Sequence, residues 1–203
     1  MAMLSAEQQD ALQELINVAM GQASNQLARH LNTLVHLQVP AIQVIRASEA
    51  PVQLGQLYAD KTMHLISQGF IGGAGIQGEA MLLYNLDSTQ QLATILGYQH
   101  QDANEAEMLS DISAILTTTF LNGLARQLGS SLSYSAPLQL HCHNSDLSEQ
   151  VNQLAKRWKV ALQVNIHYQV TDYAFQCDMI LLIPGTALLA LQQQLDAILQ
   201  DYG

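Results

Sequence analysis

Over residues 5–34 the apolar positions recur with the period of an α-helix. At about 100° per residue, Leu12, Leu15, Ile16, Ala19, Ala23 and Leu27 fall on one side. Asp10, Glu14, Asn17 and Gly21 fall on the opposite side, at i, i+4, i+7 and i+11. A helix buries its apolar stripe and turns the other face to water. The stretch therefore predicts a long amphipathic helix that shows an acid, an amide and a patch of bare backbone along one exposed strip. Ser5, followed three residues later by Gln8, has capping-box spacing and sets the start; the helix is expected to run to about Thr33. Glu14 and Asn17 are one turn apart and can act on the same small group. Gly21 costs about 1 kcal/mol of helix stability relative to Ala. No packing reason puts it on that face, so close approach of something to the helix is one explanation.

Downstream the pattern changes to that of strands and short helices. Residues 39–46 read as a strand, and Pro40 favours an edge or a bulge because proline cannot donate to a ladder. Residues 50–58 read as a short helix or loop. Residues 63–71 and 77–84 read as two strands joined by a glycine-rich turn. Asp87 is a cap for a helix over 88–96, which Gly97 ends. The polar stretch 99–106 is the linker candidate.

The pattern then starts again. A shift of 97 residues carries Leu12 to Leu109, Asn25 to Asn122, Leu27-Ala28-Arg29 to Leu124-Ala125-Arg126, Leu31 to Leu128 and Pro40 to Pro137. A shift one residue longer carries Met81-Leu82-Leu83 to Met179-Ile180-Leu181. The second half accordingly predicts a helix over 107–129, a strand over 135–143, a short helix over 147–158, strands over 160–170 and 174–183, and a helix over 186–200. Repetition on this scale implies duplication of one unit. Each unit, about 5–98 and 105–201, is a helix-strand-(short helix)-strand-strand-helix run. Three strands are too few for a sheet of their own, so the two units are expected to share one antiparallel-rich sheet and one core. The expectation is a single pseudo-twofold α+β domain over 1–203.

Composition narrows the function. With 49% apolar residues among 203, the chain can bury a sizeable core. Seventeen acids against seven Lys and Arg give a net charge of −10. That argues against nucleic acid, which needs a positive footprint, and against anionic membrane surfaces. The opening residues lack the basic segment and apolar run of an export signal, and no apolar run approaches the roughly 18 residues of a membrane span. Cys142 and Cys177 are too few for a disulfide framework, so a cytoplasmic protein with reduced thiols is expected.

Several motifs invite other chemistry. Gly73-Ala74-Gly75-Ile76-Gln77-Gly78 fits GxGxxG. A dinucleotide fingerprint needs a helix after it, and here a strand continues, so a hairpin turn is expected. In a strand His141 and His143 would share one face and Cys142 the other. Two ligands plus His167 would suit a metal, but one buried Cys and two exposed His suit a plain strand better. Ser130 and Ser131 have no His or Asp companion at motif spacing. Trp158 suits a partner hot spot less well than a core anchor.

The spacing Asp10-xxx-Glu14-xx-Asn17, then twenty-two residues, then Pro40 resembles the signature of the CheC family of chemotaxis phosphatases, [Asp/Ser]-xxx-Glu-xx-Asn-x22-Pro. The duplication and the order of elements extend the resemblance over essentially the whole chain; CheX and the N-terminal part of FliY are similar. The resemblance implies a CheC-like fold and a phosphatase for a phosphorylated CheY-type response regulator. The phosphoryl group would sit on an aspartate of that partner, with the partner's own Mg²⁺, and no cofactor of this chain would be needed. Phosphoryl transfer calls for positioning and charge stabilisation. An amide can position water, since it both donates and accepts. By resemblance Asn17 orients the water, Glu14 anchors the partner through the lysine of the response regulator's site, and Asp10 and Gly21 are auxiliary.

The second helix departs from this pattern. Under the 97-residue shift Glu107 replaces Asp10, Asp111 replaces Glu14, Ala114 replaces Asn17 and Thr118 replaces Gly21. Alanine cannot orient water, so Asp111 and Ala114 mark a degenerate second site. The rival expectation is a non-catalytic module that binds a response regulator or a CheD-like deamidase. FliM resembles this family with the catalytic pair lost.

Overall fold

Helix α1 (Ala6–Leu31) begins on the capping box that the sequence predicts. In the computed structural model, Ser5 Oγ accepts from the Gln8 amide at 3.1 Å, and Gln8 Oε1 accepts from the Ser5 amide at 2.9 Å. The helix stops at Asn32, in the left-handed conformation at φ 50°, and the Thr33 amide returns to the Ala28 carbonyl at 3.1 Å. Helix α2 (Glu105–Gln127) stops in the same way. Gly129, at φ 62°, turns the chain, and the Ser130 amide returns to the Ala125 carbonyl at 2.8 Å. Such caps satisfy carbonyls that a helix end would otherwise leave bare. The structure describes residues 4–46, 48–49, 51–52, 56, 63–85, 105–142, 149, 152–153, 160–170 and 176–201.

Seven strands form one sheet. They are β1 (Val35–Arg46), β2 (Met63–Gly72), β3 (Gln77–Asn85), β4 (Leu132–Tyr134), β5 (Leu138–Cys142), β6 (Val160–Val170) and β7 (Gln176–Pro184), and helix α3 (Gly185–Asp201) follows. The order is β1-β6-β7-β3-β2, with β4 and β5 both along the far edge of β2. Every pairing is antiparallel. On one edge Val35 pairs with Val170, Ala41 with Asn165 and Ile45 with Ala161. On the other edge Leu132 pairs with Gly72, Leu138 with Ser67 and Cys142 with Met63. A shift of 97 on the edge strand and 98 on its neighbour carries each pair of the first set onto the second.

Two expectations need correction. The strand expected over 135–143 starts only at Leu138, as β5, and an unexpected short strand, β4, precedes it across the break at 135–137. Pro137 stands in that break, as Pro40 stands where the β1–β6 register shifts between Gln38 and Ala41. Without an N–H, proline cannot continue the ladder. The linker expected over 99–106 already belongs to α2 at Glu105 and Ala106, two good helix formers; 99–104 lie outside the described residues. So do the helix expected over 88–96, His143 and Trp158. The short helices expected over 50–58 and 147–158 are described only at 51–52 and 56, and at 149 and 152–153, which are helical.

The glycine-rich motif is a hairpin turn, as expected. A single 3-10 turn (Gly73–Gly75) joins β2 to β3, with Gly75 at φ 81°. The Gly72 amide closes it on the Ile76 carbonyl at 2.7 Å.

Helices α1, α2 and α3 share one face of the sheet. Leu12, Ile16, Ala19, Ala23 and Leu27 of α1 meet Leu109, Ile112, Leu116 and Phe120 of α2 in one buried cluster. Ile66, Phe70, Leu82, Tyr84, Leu181 and Ile183 form its floor, and Ala187, Leu191 and Leu195 of α3 extend it. Burying a Leu, Ile or Phe side chain stabilises by about 1.5–3 kcal/mol, so this cluster fixes where α1 lies. Leu15 is half-buried at the α1–α2 seam, where its carbonyl accepts from Gln127 Nε2 at 3.0 Å. Gln8 Nε2 donates to Asp196 Oδ1 at 2.7 Å and ties the start of α1 to α3. On the opposite face Leu65, Met81, Leu83, Ile180 and Leu182 are buried as well.

Candidate functional site

The polar strip of α1 faces solvent, while its apolar stripe holds the helix from below. Asp10 and Glu14 are exposed, and neither makes an ion pair among the described residues. The Glu14 charge therefore points outward without a counter-ion among the described residues. Asn17 is half-buried on the flank of the strip, where Gln13 Nε2 donates to Asn17 Oδ1 across a long 3.4 Å. Asn17 Nδ2 makes no hydrogen bond among the described residues. Side chains three apart on a helix have Cβ atoms about 5–6 Å apart, so one small group can touch the Glu14 carboxylate and the Asn17 amide together. Near the C-terminus of α1, Ser24 Oγ donates to the Val35 carbonyl at 3.2 Å and fastens the helix to the strand that carries Pro40.

Gly21 lies in the interior of α1 on this strip, and a Cβ placed there would meet nothing within 4 Å. Among the described residues it has no close neighbour. The contrast is Gly123 of α2, where a Cβ would stand 2.6 Å from Gln22 Oε1 and 3.3 Å from Ala19 Cα. The two long helices approach tightly at Gly123.

On α2 the corresponding strip carries Glu107, Asp111 and Ala114, all exposed. Thr118 returns its hydroxyl to the Ala114 carbonyl at 2.5 Å. This face holds a carboxylate but has no amide one turn on, and its hydroxyl is already engaged.

The other motifs do not assemble. His141 is in β5 and His167 in β6, and β7, β3 and β2 separate those strands. Four inter-strand steps of about 4.8 Å put them on the order of 19 Å apart, too far to share a metal. Among the described residues no three His, Cys, Asp or Glu are grouped as metal ligands. Among the described residues Ser130 Oγ donates only to the adjacent Ser131 carbonyl, a long 3.5 Å contact. Cys177 is a free, buried thiol. Burial pushes its pKa well above the usual range, the Asp178 charge adds to this, and a hydrogen bond with Tyr84 partly offsets it. Tyr84 in turn donates to Ser113 Oγ at 2.8 Å, and Ser113 donates to the Leu109 carbonyl at 2.6 Å. This chain of polar groups is enclosed in the core and offers no nucleophile to solvent.

Sequence reasoning did not single out Gln13, Val18 or Gly123. Gln13 is legible afterwards as the i−4 neighbour of Asn17. Val18 lies on the polar side of the wheel, 40% exposed beside Glu14 and Asn17. Gly123 falls on Gln26 under the 97-residue shift, so the repeat carries no signal for it.

No protein-family model matches the sequence, and no curated protein matches it. Solved structures do match in fold. FliY of Thermotoga maritima superposes with a TM-score of 0.68 at 13% identity, over 97% of this chain and 99% of that one. FliM from a FliM–SpeE complex of H. pylori gives 0.67 at 13% identity, over 96% and 97%. A chain of the CheX–CheY–BeF3–Mg²⁺ complex of Borrelia burgdorferi gives 0.50 at 13% identity, over 84% and 96%. At such identities the likeness is one of fold. The antiparallel sheet carrying two long helices side by side on one face is the CheC/CheX/FliY fold.

Proposed function

We propose that this protein accelerates the dephosphorylation of a phosphorylated CheY-type response regulator, through a single site on α1. The observation that carries the reading is the Glu14–Asn17 pair. Glu14 lies on the outward strip of a well-packed helix and Asn17, half-buried, on its flank, at the spacing from Pro40 that the CheC signature specifies. Support also comes from the fold, which is shared with a structure of CheX in complex with CheY, BeF3 and Mg²⁺.

In this mechanism the Glu14 carboxylate, which pairs with no cation among the described residues, pairs with a lysine of the partner's phosphorylation site. Such a charge-assisted bond sets register as well as affinity. It brings the Asn17 amide over the partner's aspartyl phosphate. The amide carbonyl accepts a hydrogen from a water molecule, and the NH₂ group donates to the same water or to a phosphoryl oxygen. The water oxygen then lies in line with the P–O bond to the aspartate. As the new P–O bond forms, the bond to the aspartate breaks, leaving its carboxylate and inorganic phosphate. Charge on the phosphoryl oxygens is met by the partner's own lysine and Mg²⁺, so this chain supplies position rather than a nucleophile.

The scaffold is, in our reading, a tandem duplication with a pseudo-twofold arrangement. The strand order, the corresponding edge registers and the matched caps at Asn32 and Gly129 support this. The second copy has lost its amide at Ala114. That loss favours one alternative reading, a module that binds a response regulator or a CheD-like partner without hydrolysis. Phosphate release from a phosphorylated receiver domain, with and without this protein, separates the two. Acceleration that Asn17→Ala removes supports the enzyme; tight binding without acceleration supports the module.

A further inference from the structure

We propose that Val18 and the open backbone at Gly21 form an apolar docking contact that sets the affinity of the α1 site for its protein partner; this rests on the response-regulator reading above. Taking Glu14 as the origin, Val18 is about 40° around the helix and 6 Å further along, and Gly21 about 20° to the other side and 10 Å along. Both thus lie beyond the carboxylate on the same strip, bracketing its line along the helix, with Asn17 about 60° around on the Gly21 side.

Two independent observations mark these positions. Val18 is 40% exposed among polar neighbours. Leu34, Val52, Ile71, Leu138 and Leu189 are also exposed, as scattered surface apolar residues ordinarily are. Leu189 shares its face of α3 with Gln193 and Asp196, but Asp196 Oδ1 already accepts from Gln8 Nε2, whereas Glu14 makes no ion pair among the described residues. Gly21 is the second mark. Glycine is the least favourable residue other than proline in a helix interior, and nothing among the described residues lies within 4 Å of where its side chain would begin. A knob followed by a dent, one turn apart, fits a partner that seats an apolar side chain against Val18 and brings its surface down onto the α1 backbone.

The α2 strip lacks this pair as well as the amide. Under the 97-residue shift Ile115 stands for Val18 and is more covered, and Thr118 fills the place of Gly21. The apolar contact and the catalytic pair are therefore present together on α1 and absent together on α2. The partner this implies is a folded receiver domain with an apolar side chain close beside the cation that meets Glu14.

The test compares Val18→Asp, Val18→Ala and Gly21→Leu with Leu189→Asp, an exposed apolar position on α3. Each variant is melted, its Kd for a BeF3–Mg²⁺-loaded CheY-type receiver domain is measured by calorimetry, and KM and kcat are measured on the phosphorylated domain. Val18→Asp and Gly21→Leu should raise Kd and KM about tenfold, and Val18→Ala about threefold. Their kcat should stay within about twofold, and melting should stay within a few degrees. Leu189→Asp should change none of these. Unchanged Kd and KM in Val18→Asp and Val18→Ala, in a protein that still hydrolyses, would overturn the contact and leave the enzyme reading intact. An equal loss in Leu189→Asp would also overturn it. A protein that binds without hydrolysing, and loses binding in Val18→Asp, would overturn the enzyme reading and uphold the contact. Failure of the unaltered protein to bind or hydrolyse any receiver domain would overturn both.

Discussion

Gly21 and Gly123 are both interior helical glycines, and the same substitution should move stability in opposite directions. Alanine in place of glycine gains about 0.8–1.0 kcal/mol in a helix interior. At position 21 nothing among the described residues opposes the gain, because the new Cβ meets none of their atoms within 4 Å. Gly21→Ala should therefore stabilise by about 1 kcal/mol. At position 123 the new Cβ would stand 2.6 Å from Gln22 Oε1, 3.3 Å from Ala19 Cα and 3.4 Å from Ala19 Cβ. The glutamine end is flexible and can swing away. Ala19 Cα is backbone of a fully buried residue, so α1 itself has to give by a few tenths of an ångström. Overpacking of this kind costs about 1–3 kcal/mol, which leaves Gly123→Ala about 1 kcal/mol less stable than the parent. The two variants should differ by about 2 kcal/mol, or roughly 4–8 °C in Tm for a domain of this size. Urea titration and thermal melting read the difference directly. Equal stabilisation by both substitutions would refute the claim that α1 and α2 approach tightly at Gly123 and that a side chain at position 21 has open space among the described residues.

Ser5→Ala should cost about 1 kcal/mol by removing the N-cap acceptor. Gln8→Ala should cost more in urea titration, because it loses the other half of the capping box and the bond to Asp196. In a Cys142→Ala background the buried Cys177 should react with a thiol reagent at pH 8 only on unfolding. Its folded pKa lies well above the usual value of 9.0, so the thiol form is favoured in the folded state. That contribution to stability is fully present below about pH 9 and is lost as pH rises toward the folded pKa; urea midpoints across this range should fall more steeply with Cys177 than with Cys177→Ala. Glu14→Ala should weaken both partner affinity and turnover, whereas Asp111→Ala should leave turnover within about twofold, since Ala114 cannot complete a site.

Where side-chain pattern decides structure, the sequence was legible. α1 follows from its apolar stripe, its capping box and its turn-forming end, and its start and stop lie within two residues of expectation. The β2–β3 hairpin follows from two strand patterns around glycine, which outweigh the GxGxxG string. The break between β4 and β5 was not legible in advance. One proline reads equally as a bulge within a strand, as Pro40 turns out to be, or as a gap between two, as at Pro137. At the site, helical periodicity alone places Glu14 outward. It does not give the half-burial of Asn17 or its contact with Gln13, which depend on what packs beside α1. Nor does it separate the two glycines, because the space around each is set by the neighbouring helix.

The central claim rests on the Asn17 amide and is tested most directly by phosphate release from a phosphorylated CheY-type receiver domain in the presence of the protein or of Asn17→Ala. Alanine is the better helix former, so the variant should keep its fold and most of its affinity for the partner. Loss of the one group that positions water should lower the accelerated rate on the order of 10²-fold, by analogy with deletion of a single transition-state hydrogen-bond donor. The account predicts release near the receiver domain's spontaneous rate for Asn17→Ala and well above it for the unaltered protein. Undiminished acceleration by Asn17→Ala would contradict it.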